Sequence, residues 1–305
     1  MTKPVVLEIT LAIVVLSAAD CMALEETVTA DWRLQDGLVK GGPYDQAAKR
    51  ILGKLAASGT ELRAAAATLD KAAALPQDPR WEALYLRACD QRRAARLRTL
   101  LEKTPRIVFT KHYDLGGSHY AYTEGQSDAQ SERHFEPGSS LCLLAMHGAY
   151  GQTRTLLADP GGVIRDPDVS YDGRRVLFAW KKSLDQDDYH LYEMDLAGGA
   201  VRQLTFGLGC ADYEGAYAPD GQIIFNSTRC VQTVDCWWTE VSNLYTCDGE
   251  GRYLRRLGFD QVHSNFPTVT PDGRVLYTRW EYNDRGQIFP QGLFQMNADG
   301  TGQTA

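Results

Sequence analysis

The sequence has no surplus of positive charge: 39 Asp and Glu stand against 32 Lys and Arg, a formal net charge of −7. Nucleic-acid binding needs a basic footprint, so a nucleic-acid partner is excluded. There is no C-x-x-C and no C-x-x-C-H, which leaves thioredoxin-like redox chemistry and covalent haem attachment without their ligands. Gly-x-Ser-x-Gly, Walker and dinucleotide-binding fingerprints are missing as well. No cofactor is therefore expected in this chain, apart from a divalent metal considered below. What remains is ordinary globular composition, 44% hydrophobic and 23% charged over 305 residues, enough for two or three units. Fifteen Tyr, nine Phe and six Trp among 28 Gly and 12 Pro lean toward many short strands joined by turns.

Residues 1–23 read as an export signal. Lys3 supplies positive charge, Ile9 to Ala19 form an apolar run, and Cys21-Met22-Ala23 ends on a small residue before Glu25 and Glu26. The run falls short of the roughly 20 apolar residues that span a bilayer. Membrane contact is expected only through an uncleaved signal segment, and the location is periplasmic or secreted. Export permits disulfides. Six cysteines follow the signal, and Cys230 and Cys236 bracket a short polar stretch that a local bridge would close; Cys210 is a competing partner.

Residues 24–104 form a helical region. Ala48, Leu52 and Leu55, then Leu62, Ala65, Ala66, Leu69 and Ala73, recur at helical spacing with Gly59 between them. Asp78-Pro79 is an N-cap followed by proline at the first helical position, opening a third helix with Trp81, Leu84, Tyr85, Ala88 and Ala95 on one side. Its Arg87, Arg92, Arg93, Arg96 and Arg98 read as a solvated face rather than a binding patch. Three helices are expected before Pro105.

After Pro105 the apolar period changes to two and a repeat appears. Asp172-Gly173, Asp220-Gly221 and Asp272-Gly273 each precede an apolar strand, about 50 residues apart, the range of propeller blades. Matched strands follow at Leu191-Tyr192-Glu193-Met194-Asp195, Leu244-Tyr245-Thr246-Cys247-Asp248 and Leu293-Phe294-Gln295-Met296-Asn297. Cys247 aligns with Met194 and Met296, which marks it as a packed apolar residue. Ile107-Val108-Phe109 and Leu143-Leu144-Ala145-Met146 belong to an earlier, degenerate unit. The expected fold is mainly β: a partial β-propeller of about four blades over residues 105–305, behind the small helical region. The last unit stops where its outer strand should begin, so the chain reads as a fragment of a larger ring.

These turns and strands resemble the TolB-type propeller repeat. More specifically, Ile107 to Tyr113, Gly117 to Tyr122, Cys230 to Trp238 and Tyr277 to Gly286 resemble the middle-domain family of the hydrazine synthase alpha subunit. That resemblance implies a propeller within a haem redox complex, but the haem attachment motif is absent here.

Residues just upstream of the inner strands face the mouth of a propeller channel: Asp166 and Asp168, Asp212 and Glu214, His263 and Asn265. His112 and His119 follow the first apolar strand. Asp166, Glu214 and His263, one from each of three units, form the candidate metal set, since carboxylates suit calcium or magnesium and imidazole suits a transition metal. The plainer alternative is that they bond locally to backbone at strand ends. Asp185, Gln186, Asp187 and Asp188 form an acidic loop without EF-hand spacing, and Trp237-Trp238, Trp280 and Tyr282 are blade-packing aromatics before they are a sugar or protein platform. Three functions follow: a non-catalytic exported scaffold that binds a protein partner or supports missing C-terminal domains, a metal-dependent lyase-like enzyme acting in the funnel, or a subunit of a haem redox complex whose haem lies elsewhere.

Overall fold

The computed structural model describes residues 18–55, 59–114, 136–148, 150–183, 188–234, 239–282 and 291–305. The chain divides into two compact units, one up to Lys103 and one from Thr104.

The first unit has four helices rather than three: α1 (Ala18–Gln35), α2 (Asp45–Lys54), α3 (Thr60–Lys71) and α4 (Pro79–Lys103). The extra one, α1, runs across the expected signal boundary at residue 23. Its packing residues, Val28 and Trp32, lie beyond that boundary and close over Tyr44, Ile51, Leu62, Trp81 and Tyr85. The Asp78 cap forms as the sequence demands, its Oδ1 accepting from Arg80 N at 2.9 Å. Among the described residues, no helix is long and apolar enough to cross a membrane.

The second unit is mainly β, four antiparallel meanders stacked as propeller blades. They are β1-β2-β3 (Arg106–Lys111, Ser139–His147, Tyr150–Asp159), β4-β5-β6-β7 (Val163–Val169, Arg175–Lys181, His190–Asp195, Val201–Gln203), β8-β9-β10-β11 (Asp212–Tyr217, Ile223–Ser227, Asn243–Cys247, Arg255–Arg256) and β12-β13-β14 (Ser264–Val269, Val275–Trp280, Gln291–Met296). The repeat register is kept from blade to blade: Val176 faces Met194, Ile223 faces Cys247, and Val275 faces Met296. A bridge between Gln295 and Thr304 sits where β7 and β11 pair in the earlier blades, so the fourth strand of the last blade begins there. The first blade departs from the expected pattern in another way. Among the described residues it has three strands, of which β1 and β2 pack on β4.

Period two explains the stacking. Val176 and Phe178 of β5 face the first blade with Leu141, while Leu177 and Ala179 face the third with Tyr213 and Phe225. Both faces of a blade are thus buried, and each large side chain so covered contributes about 1.5–3 kcal/mol. In the hairpins, Gly173, Gly221 and Gly273 take φ of 69, 86 and 81°, as the Asp-Gly turns require.

Candidate functional site

Every inner strand that follows an outer strand carries the same irregularity. The ladder slips between Arg165 and Asp168, between Tyr213 and Ala216, and between Asn265 and Thr268. At each slip a non-glycine residue turns left-handed: Asp166 at φ 54°, Glu214 at 54° and Phe266 at 55°. Such a backbone costs of order 1–3 kcal/mol per residue and persists where surrounding contacts hold it.

Those contacts run from blade to blade. Asp166 Oδ2 accepts from the backbone N–H of Glu214 at 3.1 Å, and Glu214 Oε2 accepts from the backbone N–H of Phe266 at 2.6 Å. Asp168 Oδ2 likewise accepts from Tyr217 N at 2.8 Å. Each bulge carboxylate therefore satisfies the peptide group that the next bulge exposes. Arg165 is buried against the rings of Tyr189 and Tyr213, at 5.4 and 5.1 Å from their centroids. Its guanidinium reaches Asp166 at 2.6 Å and Glu214 at 3.3 Å.

Charge here is tightly balanced. Burial works against the Arg165 cation, but Asp166 and Glu214 outweigh it and raise its pKa. Burial first, and repulsion from Asp166 second, push Glu214 up to about 8, against Arg165 and the hydrogen bonds from Phe266 and Asn226. Burial thus makes Glu214 reluctant to ionise, although Arg165, Asn226 and Phe266 all donate to its carboxyl group. Burial also raises Asp168, opposed by its bond from Tyr217.

A second buried network joins the middle blades. Asp212 accepts from Ser227 Oγ at 2.7 Å and from Arg229 at 2.9 and 2.6 Å, and lies 3.4 Å from His190 Nδ1. Burial alone would raise the Asp212 pKa; His190, Arg229 and Ser227 hold it below the usual value.

The structure brings Asp166 and Glu214 together around Arg165, and it puts Phe266 rather than His263 in the third equivalent place. His263 stands just before β12, its ring stacked on Trp280 at 5.6 Å and its Nδ1 accepting from Ser242 N at 3.3 Å. Asn265 accepts from Ser242 Oγ at 2.9 Å. Among the described residues, no group of three or more His, Cys, Asp or Glu is arranged to hold a metal ion. The equivalence was readable: Asp166, Glu214 and Phe266 each stand seven residues before their hairpin glycine. Trp280 and Tyr282 are buried against each other at 4.7 Å, as blade-packing aromatics. His112 is exposed, with Nδ1 2.7 Å from Tyr113 O. His119, Asp185 to Asp187, Trp237, Trp238 and Cys236 lie outside the described residues. Cys230 Sγ donates to Val241 O at 3.0 Å, and Cys247 is packed in the core, where burial pushes its thiol up to about 12.

Three solved structures are similar in fold. A TolB protein from Agrobacterium tumefaciens matches at 20% identity and a TM-score of 0.43, covering 54% of this chain and 55% of that one. Kuenenia stuttgartiensis hydrazine synthase matches at 18% and 0.49, covering 65% of this chain and 31% of that one. TolB from Acinetobacter baumannii matches at 16% and 0.45, covering 75% and 48%. The chain thus spans about half or less of the length of these proteins. The likeness goes no further than the fold, which the sheet order and bulge register above establish independently. No protein-family model and no curated protein matches the chain.

Proposed function

We propose that the chain is an exported propeller module that acts as a non-catalytic scaffold, binding a protein partner within a larger assembly. The observation that carries this reading is the use made of the inner-strand carboxylates. Asp166, Asp168 and Glu214 direct oxygens at the backbone of the following blade, at 2.6–3.1 Å, where a catalytic or metal-binding propeller would aim them at a ligand. The sequence resemblance to the middle domain of the hydrazine synthase alpha subunit supports a place beside redox partners, with the haem chemistry carried elsewhere. Export is supported by the apolar run Ile9–Ala19, which follows Lys3 and leads to the small residue Ala23.

The test compares wild type with Asp166→Asn and Asp168→Asn in metal-free buffer and with calcium, magnesium or zinc. The scaffold reading expects both variants to melt earlier without metal, and wild type to be indifferent to metal. A metal-dependent rise in Tm in wild type, lost in Asp166→Asn, would overturn it in favour of a funnel metal site.

A further inference from the structure

The helical unit holds a concave site that the propeller reading does not use. A cavity of about 220 Å³ opens between α2 and α4, walled by Arg50 and Lys54 from α2 and by Arg92 and Arg96 from α4. Four cations thus converge in a chain whose net charge is −7. Asp36 is the one carboxylate on the wall, and both its oxygens are engaged: Oδ1 with Arg50 at 3.0 Å, Oδ2 with Tyr85 Oη at 3.0 Å and Arg92 at 3.3 Å. It orients two of the cations. Lys54 and Arg96 have no carboxylate in ion-pair reach among the described residues. Ile51, Leu55 and Ala95 supply the apolar part of the lining.

The ordinary use of cations in the last turn of a helix is to offset its exposed carbonyls. Here Arg63 from α3 takes that role, donating from Nη1 to Leu52 O at 3.1 Å and Leu55 O at 2.9 Å. Arg50 and Lys54 are left to face the cavity. The arginines of α4, whose spacing reads as a solvated face, are drawn into the same site by packing against α2.

We propose that this cavity binds a small phosphate monoester, its dianionic head held by Lys54, Arg92 and Arg96 and its carbon skeleton lying on Ile51, Leu55 and Ala95. Planar guanidinium groups match phosphate oxygens two at a time, a lysine adds a point charge, and the volume suits a compact ligand rather than a polymer. The phosphate monoester could be a soluble metabolite or the headgroup of a phosphatidic acid; the chemistry of the site is the same.

The experiment uses the full chain at low ionic strength. Glycerol 3-phosphate and inorganic phosphate are titrated and followed by calorimetry and by ³¹P line broadening, with chloride as the control anion. Wild type is expected to bind both saturably, the ester more tightly. Lys54→Gln with Arg96→Gln, at two exposed positions outside the core, is expected to weaken binding by at least about tenfold while leaving circular dichroism and Tm unchanged. Cosedimentation with vesicles of phosphatidylcholine, with and without phosphatidic acid, separates the sources: competition of glycerol 3-phosphate with acidic vesicles places the lipid headgroup in this cavity, and binding without cosedimentation indicates a soluble ester. Absence of saturable binding to wild type, or equal affinity in the double variant, overturns the proposal.

Discussion

Asp166 accepts a hydrogen bond at 3.1 Å from the backbone of Glu214, the residue that holds in its own strand the place Asp166 holds in the preceding one. Glu214 repeats the gesture toward Phe266, so the bond that closes one blade on the next is also the bond that props up the next strained turn. Inner-strand bulges and blade stacking are therefore one feature.

Glu214 makes this belt sensitive to pH. Its folded pKa is raised to about 8 from a reference near 4.5. The sign follows from the protons bound: below 4.5 both states are protonated, and between 4.5 and 8 only the folded state keeps the proton. The contribution is thus fully present at low pH and is lost as pH rises through the folded value. Glu214→Gln should flatten the decline in urea-unfolding free energy over that window; a decline of equal size in the variant would assign the effect to another group.

Asp212 acts in the opposite direction. Its pKa is held down in the folded state, so its stabilisation is present at neutral pH and lost as pH falls through the folded value. Arg229→Ala leaves a buried carboxylate without its cation and should cost about 3 kcal/mol at pH 7, measured by chemical denaturation. The deficit should shrink as pH falls, because without Arg229 the buried carboxylate takes up a proton more readily than it does in wild type.

Two glycines separate conformational from steric demand. Gly221, in an Asp-Gly hairpin, has φ 86° and open space where a Cβ would stand. Gly251 has φ 75° and would place a Cβ 2.0 Å from Leu204 O of the preceding blade. Gly221→Ala should cost about 1 kcal/mol through its backbone alone. Gly251→Ala should cost clearly more, because two blades must move apart. Equal melting temperatures would mean that this contact yields freely.

In this structure Cys230 is a free thiol donating to Val241 O, so the local bridge to Cys236 expected on export would replace that bond, and thiol counting tests it. In protein recovered from an oxidising compartment, denatured without reductant, labelling should reach Cys89, Cys142, Cys210 and Cys247 and spare Cys230 and Cys236. Label at both of the latter would remove the bridge.

Much of the fold was legible because it is periodic. The Asp-Gly turns, the switch from helical to alternating spacing after Pro105, and the alignment of Cys247 with Met194 and Met296 are local properties, and the structure repeats them in register. Helix α1 was hidden by its overlap with a signal-like run, since apolar residues near an N-terminus suit either reading.

What the sequence determined by itself was the blade: alternation buries both faces of a strand, and Asp-Gly pairs close its hairpins, whatever lies nearby. Only the tertiary structure decided what the charged residues do. Arg165, Asp166 and Glu214 meet because a bulge turns the inner strand left-handed and the next blade offers an unpaired N–H, and neither condition is visible in residue spacing until the blades are stacked. Arg92 and Arg96 likewise read as part of a solvated face in the sequence, and only the packing of α4 against α2 sets them around one cavity with Arg50 and Lys54. Charge acts through distance in space, and distance in space is set by the packing of apolar faces elsewhere in the chain.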